Sequence, residues 1–143
     1  MGKLGFTSFQ KLVFDKISQE KYFRDMFYFG GGTALSVFYF DHRYSVDLDF
    51  FAEKEFDKDV VIKFINTLSV QLGSTVKMTR KKMVMWFELS RSSETLKVDF
   101  LNFPYPRIGE GLSFQGMDID SLKDIGANKL LLLNLSEEPK EEV

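Results

Sequence analysis

The chain has 143 residues, sixteen phenylalanines, no cysteine and a formal charge of −2. Its length predicts a single domain over residues 1–143 with a large aromatic core, and the lack of thiols excludes disulfides and thiolate metal sites. The near-neutral charge excludes generic DNA binding through a global basic field, and no apolar run is long enough for a membrane span or signal-peptide core, so a cytoplasmic protein is expected.

A helix is predicted from Thr7 or Ser8 to Met26, where Leu12, Val13, Ile17 and Phe23 mix with charges at helical spacing. Phe27 to Phe29 reads as a short aromatic strand stopped by Gly30, Gly31 and Gly32, and a second helix should run from near Gly32 to near Phe40. Ser45 to Ala52 alternates, with Ser45, Asp47 and Asp49 on one side and Val46, Leu48 and Phe50 on the other, as in a strand with one buried face. Lys58 to Leu72 carries Val61, Phe64, Ile65 and Leu68 and stops at Gly73, as a helix does.

Three strand-like runs follow, around Thr75 to Arg80, Met83 to Ser90 and Thr95 to Phe103. Pro104-Tyr105-Pro106 and the glycines at 109, 111 and 116 mark a loop. A short strand is expected near Ser113 to Met117, then a helix capped by Ser121 or Asp120 and running to about Leu135, with a frayed tail over 136–143. Helices between the early strands and adjacency of the later ones predict an α+β fold with a mixed sheet flanked by helices.

Asp47 and Asp49 are two residues apart on one strand face, with Cα atoms about 7 Å apart, so their charges repel unless a cation lies between or above them. A divalent ion such as Mg²⁺ or Mn²⁺ meets that need and leaves coordination positions for substrate phosphates. Such a pair alone is weak evidence and fits a solvent-exposed strand face better. A third acid strengthens the metal reading: in the run from Glu94 to Phe103, Lys97, Asp99 and Leu101 share one face, which places Asp99 on a second strand able to pair beside the first. Three converging carboxylates suit two metal ions roughly 3.5–4 Å apart.

Gly30, Gly31 and Gly32 supply backbone amides at a helix start, where phosphate oxygens are favoured, although a tight strand-to-helix turn needs the same residues. A dinucleotide fingerprint is excluded by Leu35, and no P-loop motif is present. Lys129 falls among Leu122, Ile125, Gly126 and Leu133 on what reads as the buried stripe of the last helix, either snorkelling to the rim or directed at anions. Arg80, Lys81 and Lys82 form a basic hairpin tip, His42 reads as structural, and Trp86 as core.

The runs GGTALS from Gly31, HRYSVDLDFF from His42, KVDFLN from Lys97 and SLKDIGANKL from Ser121 together resemble the AbiEii/AbiGii-type nucleotidyltransferases of the polymerase-beta-like superfamily, which includes toxins of toxin–antitoxin systems. The resemblance implies a nucleotidyltransferase-like sheet, with Gly31, Gly32 and Thr33 at the triphosphate and Arg43 and Ser45 close to it. It further implies that Asp47 and Asp49 bind metal, that Asp99 completes the metal site and acts as base, and that Lys129 reaches toward phosphate. Leu132 stands where the family usually has a small residue, and the arginine expected beyond it is missing.

The expectation is therefore a metal-dependent enzyme that moves a nucleotidyl group from a nucleoside triphosphate to a hydroxyl of RNA or protein, with an antitoxin as a further partner. The rival is a catalytically incomplete nucleotide-binding or interaction module. A glycosyltransferase built on Asp47 and Asp49 is disfavoured by the third acid.

Overall fold

A computed structural model describes residues 5–40 and 47–136. Helix α1 (Ser8–Ser18) opens on a reciprocal cap, in which the Gln10 amide N–H donates to Thr7 Oγ1 and the Thr7 N–H donates to Gln10 Oε1. The single helix expected through Met26 is instead two, because α2 (Lys21–Met26) starts anew after an extended Glu20. Phe14 and Phe23 are both at most 1% exposed. In an unbroken helix, nine residues at about 100° each would place them on opposite faces, so burying both requires the break.

Strand β1 (Tyr28–Gly30) leads directly into α3 (Gly31–Ala34), which widens into a π-helical turn over Leu35–Phe40. Strand β2 (Asp47–Ala52) and helix α4 (Lys58–Leu72) follow. The Asp57 side chain caps the start of α4, and Gly73 ends it with φ 66°, a left-handed conformation that glycine adopts without strain. Strands β3 (Thr75–Arg80), β4 (Val84–Arg91) and β5 (Glu94–Asn102) form a meander. The single short strand expected near Ser113 is a hairpin, β6 (Leu112–Phe114) and β7 (Met117–Ile119), turned by Gln115 and Gly116 with φ 57° and 80°.

Helix α5 (Leu122–Ser136) closes the order. Ser121 is its cap: the Asp124 N–H donates to Ser121 Oγ, which donates in turn to Asp124 Oδ2.

The sheet among the described residues is seven-stranded and mixed, in the order β3-β4-β5-β2-β1-β7-β6. The pairs β2·β5 and β1·β7 are parallel, and the remaining neighbours are antiparallel. One face is packed by α1, α2 and α4 around interlocked rings, Phe29 against Phe50 with centroids 5.2 Å apart and Phe50 stacked on Phe100 at 5.4 Å. The described residues half cover the opposite face. There Leu131 and Leu132 of α5 pack on Tyr28, Phe51 and Phe103.

This seating corrects two expectations. Leu122, at 46% exposure, and Leu133, at 48%, are exposed, as is Lys129, so the stripe read as buried is not; Ile125, at 4%, turns inward. Trp86 also lies outside the core, because Met85, Phe87 and Leu89 fill it and alternation turns Trp86 to the other face.

Candidate active site

Leu48 and Phe50 are fully buried on the core side of β2, which turns Asp47 and Asp49 to the half-covered face. Across the sheet, Asp49 stands opposite Gly30 on β1 and opposite Asp99 on β5, so one row runs Gly30, Asp49, Asp99. One step along, Asp47 stands opposite Lys97.

Gly31 begins α3 with φ 78°, and a Cβ there would overlap Asp49 Oδ2 and lie 2.9 Å from its Cγ. Only glycine lets the chain pass the carboxylate at this point. A cavity of about 260 Å³ opens above the row. Asp47, Asp49 and Asp99 form one wall and Gly31 and Gly32 another. Leu35, Phe51, Leu101, Ile125 and Leu132 make the apolar lining, and Asn128 and Lys129 face in from α5.

Burial, then the charges of Asp99 and Asp47, push Asp49 up to about 8, with Lys97 opposing. Burial also lifts Asp99 to about 6, against the charge and hydrogen bond of Lys97 and reinforced by Asp47. The Lys97 ammonium lies 3.3 Å from Asp99 Oδ2 and 3.9 Å from Asp47 Oδ2. Burial disfavours that ammonium, yet Asp99, Asp47 and Asp49 together raise its pKa. Asp99 Oδ1 is buried with no hydrogen-bond partner among the described residues. Among the described residues, no three Asp, Glu, His or Cys side chains are gathered so as to hold a metal ion as they stand.

The structure brings Gly31, Gly32, Asp47, Asp49, Asp99 and Lys129 to one cavity. Thr33 is elsewhere: it is 1% exposed and its hydroxyl donates to the Asp47 carbonyl oxygen, tying α3 to β2. Arg43, Ser45 and His42 lie outside the described residues, as does the tail from 137. Arg80, Lys81 and Lys82 are exposed where β3 turns into β4, with the Lys81 ammonium 5.8 Å from the Trp86 ring centroid.

Sequence reasoning missed the support behind the cavity. Asp120, 1% exposed, receives a hydrogen bond from Asn128 Nδ2 at 2.9 Å, while its carbonyl accepts from the Tyr39 hydroxyl at 2.7 Å. Burial and the Asp124 charge push Asp120 up to about 7, with Arg107 and Asn128 opposing. Burial works to raise Asp124 as well, but the Ile108 and Gly109 N–H groups and the Ser121 hydroxyl hold it below the usual carboxylate range. The eight-residue step from Asp120 to Asn128 was the available signal, obscured because Asp120 also reads as a helix cap.

A comparison with curated proteins found no match. Among solved structures, a candidate nucleotidyltransferase from Helicobacter pylori is similar at 21% identity and a TM-score of 0.60, over 84% of this chain and 55% of that one. JHP933 from the same organism is similar at 20% identity and a TM-score of 0.60, over 87% of this chain and 57% of that one. The chain thus spans little more than half the length of either, and at these identities the likeness speaks for the fold. The model of the nucleotidyl transferase AbiEii toxin family, from type IV toxin–antitoxin systems, matches residues 12–140, and to that family the chain belongs.

Proposed function

We propose that this protein transfers a nucleotidyl group from a nucleoside triphosphate to a hydroxyl acceptor on RNA or protein, assisted by Mg²⁺ or Mn²⁺. The observation that carries the reading is the cavity in which Asp47, Asp49 and Asp99 stand on neighbouring parallel strands, with the Gly31 turn beside them and Lys129 across from them.

The residues fit a hard divalent ion as a partial shell. They offer carboxylate oxygens, one buried Asp99 oxygen lacks a partner among the described residues, and an ammonium already stands where positive charge is needed. Asp47, Asp49 and Asp99 would hold the ion, leaving the rest of its coordination to the triphosphate. Once bound, it would stabilise the charge that builds on the phosphoryl oxygens.

In the reaction, the acceptor oxygen forms a bond to the α-phosphorus as the bond to the pyrophosphate oxygen breaks. The hydroxyl proton passes to Asp99, which faces the cavity one strand over from Asp49. The Gly31 and Gly32 amides and the Lys129 ammonium bind phosphate oxygens, and the apolar wall of Leu35, Phe51, Leu101 and Leu132 excludes water. The family's place in toxin–antitoxin systems supports an antitoxin as a protein partner.

The test is transfer of label from each α-labelled triphosphate, with Mg²⁺ or Mn²⁺, to total RNA or protein. Wild-type protein should transfer, whereas Asp99→Asn should not, with triphosphate affinity kept within about tenfold. Transfer that persists unchanged in Asp99→Asn would show that another group is the base. No transfer with any triphosphate and acceptor would favour the binding-module reading.

A further inference from the structure

We propose that Lys97 is a resident counter-cation of the acidic cluster, which holds Asp47 and Asp99 in place before a metal ion binds and competes with that ion for the charge of the same carboxylates. The proposal rests on the metal-site reading above and adds a residue to it.

The placement follows from strand geometry. Lys97 precedes Asp99 by two positions on β5, so both side chains leave the sheet on the same face, and parallel pairing sets Lys97 opposite Asp47. From that root a lysine can extend into water or fold back over the acids. It folds back: the ammonium reaches Asp99 Oδ2 and Asp47 Oδ2 at 3.3 and 3.9 Å, thereby bridging the two strands.

Trp86 explains how the ammonium is held there. It stands opposite Asp99 on β4, and its ring centroid lies 4.9 Å from Lys97 Nζ, so one cation is shared between an aromatic face and two carboxylates. The Lys97 side chain keeps 35% exposure, which leaves its flexible stem room to withdraw from the acids while remaining over the ring.

Asp99 Oδ2 cannot give its full charge both to the ammonium and to a divalent ion, and the two cations repel each other at such range. Binding of the ion therefore includes the cost of displacing Lys97. A divalent ion that arrives with a triphosphate meets that cost through the added phosphate contacts, whereas a free ion does not. Lys97 thus offsets the repulsion between the metal-free acids and makes tight metal binding conditional on the nucleotide.

The experiment measures Mn²⁺ binding by calorimetry and by electron paramagnetic resonance, without and with a triphosphate, and triphosphate binding in EDTA, in wild type, Lys97→Met and Lys97→Arg, with thermal melts in EDTA and in Mn²⁺. Loss of the competing charge should tighten Mn²⁺ binding in Lys97→Met by on the order of tenfold. The same variant should melt lower than wild type in EDTA and recover in Mn²⁺, while Lys97→Arg should bind Mn²⁺ as wild type does. If Lys97→Met does not fold, Lys97→Gln, which keeps a polar end over Trp86, should show the same tightening.

Equal or weaker Mn²⁺ binding in the charge-removing variants would overturn the proposal while leaving the metal site standing. Loss of triphosphate affinity in EDTA with Mn²⁺ affinity unchanged would overturn it too, by making Lys97 a phosphate ligand. Absence of Mn²⁺ binding in every protein, with or without triphosphate, would remove the metal site and this proposal together.

Discussion

Gly31 and Asp49 share a space that admits no side chain between them: the Gly31 Cα faces the Asp49 carboxylate so closely that a single methyl group would overlap it. Gly31→Ala should therefore act twice, by placing an L-residue at φ 78° and by displacing Asp49. The conformational strain alone costs roughly 1–2 kcal/mol. Chemical denaturation should show that loss, and titration with a fluorescent triphosphate should show binding reduced beyond what the lost stability explains. Full binding by a folded Gly31→Ala protein would count against the phosphate cradle.

Proton linkage gives a second prediction. Asp49 and Asp99 are raised from 3.8 to about 8 and about 6, so folding favours their protonated forms. That stabilisation is complete below 3.8 and is lost as pH rises through the two folded values. Metal-free protein should accordingly melt lower as pH climbs from about 5 to about 8.5. Asp49→Asn should flatten the upper part of this fall and melt higher than wild type at pH about 8, leaving the contribution of Asp120, which titrates near 7. A Tm that rises over this range in metal-free wild type would contradict the electrostatics described.

Thr33 separates a structural role from a phosphate contact. Its buried hydroxyl is spent on the Asp47 carbonyl, so Thr33→Val should cost about 1–2 kcal/mol by leaving that oxygen without its partner. Triphosphate affinity, measured well below the melting temperature, should stay close to wild type. A large loss of affinity with stability intact would return Thr33 to the phosphate site.

Lys129 presents the opposite case. It lines the cavity from an exposed position on α5, so Lys129→Ala should change stability by no more than about 0.5 kcal/mol. Triphosphate affinity should fall about tenfold at low ionic strength and less in high salt, as expected for one cation lost beside phosphate. Unchanged affinity across salt concentrations would leave Lys129 a solvated residue.

Local patterns carried much of this architecture. Alternation from Asp47 to Phe50 gave the acidic face because a strand's period of two has no competing interpretation there, and Gly73 ended α4 because the left-handed cap favours glycine. The break at Glu20 carries no glycine or proline, since it answers the burial of Phe14 and Phe23 on a common core. The face of α5 was misread because Leu130 to Leu133 are four leucines in a row, and only packing on Tyr28, Phe51 and Phe103 selects among them. The roles of Lys97 and Trp86 depend on strand order, which no local period reveals.

The parallel pairing of β2 with β5 also bears on how the protein is made. Between Asp49 and Asp99 the chain must first leave the sheet, build α4, return as β3 and β4, and only then lay β5 alongside β2. The acidic row is thus a product of late, non-local closure, slow by the standards of contacts made between near neighbours in sequence. A ribosome-bound chain that has not yet released β5 holds Asp47 and Asp49 but not Asp99, so during synthesis the acidic row stays without its third member until the crossover is complete.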